Sequence, residues 1–172
     1  SDGVMDDARV VVTVARSAER LGATILTRFE ATGPVMTGGS TSGVAALDRL
    51  TGETFELQSK VVIDATGAFD FESLGSEDLR LSRGTHLVIP RDVRPLDTGM
   101  TIRVPGRVVF IIPWLGHWLV GTTDVEHDGP VDRPSGDAEE VEYLVATLNE
   151  TLDVDFTADD AVASFAGVRP LV

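Results

Sequence analysis

The sequence predicts an α+β chain. Apolar residues recur at helical spacing near the start and again from residue 137. Between these stretches, short β-branched runs are joined by turns too tight for a crossover helix. A polar, acidic stretch between Gly67 and Arg83 divides the runs into two groups, 1–67 and 68–172.

In the first group, Asp6 and Asp7 offer an N-cap. Val11, Val14, Ala15, Ala18 and Leu21 line one face, and Gly22 suits the C′ position, so a helix is expected over 7–21. Residues 23–30, with β-branched and aromatic content, read as a strand, and the glycine- and threonine-rich 33–43 as a turn. Residues 44–49 and 54–63 read as strands around a hairpin tip at 50–53. The second is expected to be a buried strand ending in the small tetrad Asp64-Ala65-Thr66-Gly67.

In the second group, strands are expected at 85–90, 100–104, 107–113 and 118–122. Pro105-Gly106 fits the centre of a tight turn, and 114–117 a second hairpin tip, which makes this sheet antiparallel. From Asp137 the helical period returns. Val141, Leu144, Val145, Leu148 and Leu152 share a face, Glu139, Glu140 and Glu142 crowd the first turn, and Asp137 with Glu140 forms a capping box. Residues 161–166 read as a last strand, followed by Gly167-Val168-Arg169-Pro170 as a turn in which proline stiffens the arginine's surroundings.

The 172 residues suit one domain, or one with part of a neighbour. Twenty-eight acidic residues against 14 basic ones give a net charge of −14, which repels nucleic acid and anionic lipid surfaces. Every cation but Lys60 is an arginine, a side chain that forks onto carboxylates and phosphates. Without cysteine there is neither a disulfide framework nor a thiolate metal site, which suits a reducing, cytoplasmic setting. The longest apolar run, Val108 to Ile112, is far short of the roughly 20 residues of a membrane-spanning helix. A start at Ser1-Asp2-Gly3 raises the expectation that the chain is cut from a longer protein.

Several motifs fail on their chemistry. Gly33 to Ser40 lacks the lysine and following helix of a phosphate loop, and Gly39 to Gly43 has Thr41 where a hydrolase elbow needs serine. Asp124 to Gly129 opens like a calcium loop, but the twelfth position is Ser135, so no metal is expected. His117 and His127 fall at loop tips, are expected to be exposed, and receive no role. Two positions stand out. His86 follows Gly84 at a strand entrance, where a glycine lets another group come close, and the residues alone leave it between a structural and a catalytic role. Arg169 is equally open between a salt bridge to a neighbouring carboxylate and a pre-aimed anion clamp.

Taken together, Asp6-Asp7-Ala8-Arg9, Val62-Ile-Asp-Ala-Thr-Gly67, Ser82-Arg-Gly-Thr-His-Leu-Val-Ile-Pro90, Val109-Phe-Ile-Ile-Pro-Trp114, Gly121-Thr-Thr-Asp124 and Phe165-Ala-Gly-Val-Arg-Pro-Leu171 closely resemble the FAD-dependent glycerol-3-phosphate dehydrogenases. These are relatives of the D-amino-acid oxidase and glycine oxidase group, and the match spans nearly the whole chain. The resemblance implies that 1–67 is the later part of an FAD-binding domain and 68–172 a substrate-binding cap with a mixed or antiparallel sheet. It implies FAD contacts at Ala65, Thr66 and Gly67, where a residue without bulk lets the backbone approach the cofactor. The substrate implied is sn-glycerol 3-phosphate, oxidised to dihydroxyacetone phosphate by hydride transfer to the flavin. His86 would orient or deprotonate the hydroxyl, Arg169 would clamp substrate and hold developing negative charge, and Thr122 and Thr123 would line the pocket.

The family's glycine-rich dinucleotide fingerprint is not among these 172 residues, so the chain by itself is expected to be inactive and not to hold FAD. The pattern departs from the family at Asp64, where relatives commonly have asparagine, and at Ala68-Phe69, where a tryptophan often follows. A carboxylate at residue 64 would repel cofactor phosphates unless it points away. The acceptor is left open between quinone and oxygen, and a quinone would place the full protein peripherally at the inner membrane face. Two other readings fit the same residues: a related amine or 2-hydroxy-acid oxidase with Arg169 on a carboxylate, and a non-catalytic interaction module.

Overall fold

The structure, a computed structural model, describes residues 5–69, 80–93 and 98–171. The architecture is α+β, in two compact units, Ser1–Ala65 and Thr66–Val172. Most of the acidic stretch expected after Gly67 lies outside the described residues.

In the first unit, helix α1 (Asp7–Arg20) starts where Asp6 accepts a hydrogen bond from the Arg9 N–H at 3.1 Å, and Gly22 closes it with φ +99°. None of its residues is buried within the unit. An antiparallel sheet follows, β1 (Phe29–Thr37), β2 (Ser40–Asp48) and β3 (Thr54–Gln58), in the order β1-β2-β3. Three expectations are corrected here. The first strand begins at Phe29 rather than Ala23, and most of 33–43 is strand rather than turn. The turn is confined to Gly38-Gly39, both at positive φ (+59° and +83°), the requirement of a two-residue hairpin. Gly33 and Pro34 are tolerated because β1 is an edge strand with a register shift between Ala31 and Gly33. The strand expected through Ile63 stops at Gln58, and Val61 and Ile63 are 73% and 84% exposed instead of buried. Among the described residues they have no ladder partner, and an extended run without one gains nothing from strand conformation.

In the second unit, β4 (Arg80–Pro90), β5 (Met100–Val104), β6 (Arg107–Trp114), β7 (His117–Gly121) and β8 (Val125–Glu126) form an antiparallel sheet in which β5, β6, β7 and β4 lie side by side and β8 pairs with β4 at residues 82–83, beyond the end of β7. The last strand, β9 (Ala163–Leu171), pairs with β4 over residues 80–88, and so occupies the edge of β4 opposite β7 and β8. Helix α2 (Ala138–Leu152) carries the expected capping box of Asp137 and Glu140. It covers one face of the sheet: Leu87, Ile89, Val109, Ile111, Trp118 and Val120 pack with Leu144, Leu148, Leu152 and Phe156.

Gly-Val-Arg-Pro is corrected from turn to strand. Ser82 lies opposite Arg169 and Leu81 opposite Pro170, and proline is permitted because β9 pairs on one side only. His127 is corrected from exposed to buried, its Nε2 3.1 Å from the Pro130 carbonyl oxygen. Among the described residues no helix is long and apolar enough to cross a membrane.

Candidate active site

Alternation along β4 sorts its side chains. Leu87 and Ile89 turn toward α2, so Ser82, Gly84 and His86 turn to the opposite, open face. Direct pairing then brings Arg169 beside Ser82 and Phe165 beside His86 from one flank, and Gly121 beside His86 from the other. His86 and Arg169, 83 positions apart in sequence, therefore share one face of one sheet.

Two glycines let these side chains lie against the backbone. A Cβ at Gly121 would fall 2.4 Å from His86 Cδ2, and one at Gly84 would fall 3.1 Å from Arg169 Nη2 and 2.3 Å from Thr122 Oγ1. Any larger residue would force the imidazole or guanidinium off the sheet. On its other side the imidazole stacks on Phe165, with ring centroids 5.1 Å apart and planes 10° from parallel.

Arg169 is anchored through one nitrogen. Nη2 donates to the Thr123 carbonyl at 3.1 Å, to Ser82 Oγ at 3.3 Å and to Asp124 Oδ1 at 3.3 Å. Ser82 Oγ in turn donates to Asp124. The Arg169 side chain remains 43% exposed, so the contact with Asp124, itself 55% exposed, fixes direction more than it adds stability. Nη1 and Nε take no partner among the described residues, which leaves a planar donor edge for an anion.

His86 Nδ1 is buried with no hydrogen-bond partner among the described residues. Burial, and then the charge of Arg169, push the imidazole pKa below its usual 6.5. The ring is thus held neutral near pH 7, with a lone pair available to take a proton.

Thr122 lies on the open face, its hydroxyl over Gly84. Thr123 differs from expectation. Its buried hydroxyl points to α2 and donates to Glu140, so it contributes its carbonyl to the Arg169 anchor rather than a side chain to the pocket. Ala65, Thr66 and Gly67 fall where the two units meet in sequence. They are exposed, and Gly67 has φ +66° with open space where a Cβ would stand.

Sequence reasoning missed Ser82, Asp124 and Phe165 as members of this face. The signal was the two-residue spacing Ser82, Gly84, His86, which becomes legible only once β4 is known to start at Arg80. No group of three or more metal-ligating side chains occurs among the described residues. A cavity of about 550 Å³ is lined by Pro90, Asp92, Val93, Val154, Asp155, Phe156 and Asp160. Among the described residues its lining has three carboxylates and no cation, which does not suit a phosphorylated ligand, and none of the site residues lines it.

The model of the FAD dependent oxidoreductases matches residues 1–172, the whole chain. The chain belongs to the FAD dependent oxidoreductase family. Among relatives of this chain, a glycerol-3-phosphate dehydrogenase of Mycobacterium leprae is 34% identical over 177 residues, covering 99% of this chain and 30% of the relative. Glycerol-3-phosphate dehydrogenase 1 of Mycobacterium bovis is 39% identical over 98% of this chain and 33% of its own length. The X-ray structure of the glycerol-3-phosphate dehydrogenase from Bacillus halodurans complexed with FAD superposes with a TM-score of 0.87 at 33% identity, over 97% of this chain and 36% of that one. The chain thus spans about a third of the length of the relatives it matches.

Proposed function

We propose that the full-length protein containing this chain oxidises sn-glycerol 3-phosphate to dihydroxyacetone phosphate, with FAD as the hydride acceptor. In this reading the first unit is the later part of the FAD-binding domain and the second is the substrate-binding cap. The observation that carries it is a neutral-biased imidazole and an anchored guanidinium side by side on one sheet face, each seated on a glycine. The names of the relatives support the choice of substrate.

The residues present fit such a cofactor where they bear on it. Gly67, at positive φ with open space around its missing Cβ, lets a bulky ligand approach the backbone, so Ala65, Thr66 and Gly67 would hold part of FAD. The chemistry supplied by bound FAD is acceptance of the hydride that leaves C2 of the substrate.

The chain's own residues supply the rest. His86, kept neutral by burial and by Arg169, takes the proton of the 2-hydroxyl as the C2–H bond breaks. The free edge of Arg169 holds the substrate anion and the negative charge that develops on the oxygen, and its Nη2 bonds fix the fork beforehand. Thr122, over Gly84, lines the same face.

The test is product formation by the FAD-loaded full-length protein supplied with an artificial electron acceptor. Dihydroxyacetone phosphate should accumulate from glycerol 3-phosphate. Turnover of an amino acid or a 2-hydroxy acid with none of glycerol 3-phosphate would overturn the assignment and place Arg169 on a carboxylate.

A further inference from the structure

Glu140 is 4% exposed on the helix side of the sheet, and a carboxylate in that position destabilises the fold unless its oxygens are satisfied. Oε2 meets Arg83 Nη2 at 2.5 Å and accepts from the Asp137 N–H at 3.1 Å. Oε1 accepts from the hydroxyls of Thr85 at 2.9 Å and Thr123 at 2.5 Å. Thr123 Oγ1 also accepts from the Thr85 N–H at 2.8 Å, so this hydroxyl is fixed from two directions. The carbonyl of the same threonine receives Arg169 Nη2 on the opposite face, and Asp124, the next residue, receives it too. Since β7 ends at Gly121 and β8 begins at Val125, residues 122–124 lie outside the regular ladder; one backbone bond, from the Thr123 N–H to the Thr85 carbonyl at 3.3 Å, is joined there by these side-chain bonds in setting the position of the segment.

We infer that Glu140 is a positioning residue for the Arg169 guanidinium, acting through Thr123 across the thickness of the sheet. The consequence for turnover rests on the reading of Arg169 as the anion clamp; the positional claim does not. A purely structural Glu140 would instead only fasten α2 to β4 through Arg83.

His86 reports on where the guanidinium sits. Among the described residues, the charged and titratable groups on its face are Arg169 from β9, Asp124 from the segment after β7, Glu126 on β8 opposite Ser82, Arg80 at the start of β4, His117 on β7 opposite Pro90, and Arg103 on β5 at the far edge. If Arg169 loosens, the imidazolium form becomes easier to make. The experiment follows the pH dependence of diethylpyrocarbonate modification of the His86 peptide by mass spectrometry, since only the neutral imidazole reacts. It uses the full-length protein and its Glu140→Ala, Glu140→Gln, Thr123→Val and Arg169→Met variants.

Glu140→Ala and Thr123→Val should raise the apparent pKa of His86 in the direction set by Arg169→Met. Glu140→Gln keeps an acceptor for Thr123 and should leave the titration at its wild-type position, while its melting temperature falls because Arg83 loses the buried one of its two counter-charges and keeps Asp137. A wild-type titration in both Glu140→Ala and Thr123→Val, whatever their melting temperatures, would overturn the inference. If Glu140→Ala fails to fold, Thr123→Val decides. In steady state, Thr123→Val should raise KM for glycerol 3-phosphate on the order of tenfold, with a smaller change in kcat. An unchanged KM would count against the inference. A wild-type protein inert to glycerol 3-phosphate would sink the functional reading, while the His86 titration still settles the positional one.

Discussion

Gly84 sets how closely the guanidinium of Arg169 can lie on the sheet. A strand interior ordinarily gains from losing a glycine, so Gly84→Ala should do little harm to folding. Its methyl would nonetheless meet Thr122 Oγ1 and Arg169 Nη2 and displace both. The expected outcome is a fall in kcat/KM on the order of tenfold to a hundredfold with a near-normal melting temperature, checked by steady-state kinetics beside thermal unfolding. Arg169→Lys should cost about a hundredfold in kcat/KM, because an ammonium keeps the charge but loses the fixed fork.

The acid limb of the pH–rate profile should fall below 6.5, since burial and Arg169 both disfavour the imidazolium. Folding has the same sign. Between the depressed folded pKa and 6.5 the unfolded chain binds more protons, so the contribution of His86 to stability is complete above 6.5 and is lost as pH falls through that window. At this scale the sequence singled out His86 and Arg169, which the sheet places on one face, but not their neighbours. A histidine beside a glycine and an arginine before a proline are legible as chemistry. Ser82, Asp124 and Phe165 become partners only through register, which no local pattern specifies.

Among the elements, α2 is fixed to β4 at its first turn. Burial alone would raise the Glu140 pKa, but hydrogen bonds from Thr123, the Asp137 N–H, Arg83 and Thr85 outweigh it and hold the carboxyl below 4.5. Its stabilising contribution is therefore present above 4.5 and disappears as pH falls through the lower folded value, which acid unfolding should show as loss beginning below pH 4.5 and blunted in Glu140→Gln. Asp137→Ala removes the N-cap and one partner of Arg83, and urea unfolding should show a loss of about 1–2 kcal/mol.

Both helices and the hairpins of the second sheet were legible, because capping residues, helical periodicity and Pro-Gly or glycine turns are local signals. The errors came where tertiary pairing overrode composition. Gly33 and Pro34 sit in an edge strand, Gly-Val-Arg-Pro continues a strand along an open flank of β4, and Val61 to Ile63 lack a partner among the described residues.

Across the whole molecule, the two units differ in how far they bury their own apolar residues. The second closes a core over Trp118, whereas in the first Val11, Val14 and Leu21 of the helical region and Val61 and Ile63 remain open. A chain spanning about a third of its relatives accords with that difference. The central claim is that His86 and Arg169 together receive a small phosphorylated alcohol for oxidation by the flavin. It is tested most directly by anaerobic titration of sn-glycerol 3-phosphate into the FAD-loaded full-length protein, following flavin absorbance. The account predicts rapid bleaching in the wild type, slowed at least a hundredfold in Arg169→Lys, on the order expected for loss of an oriented charge donor. Flavin that stays oxidised with glycerol 3-phosphate, or bleaching at the wild-type rate in Arg169→Lys, would contradict it.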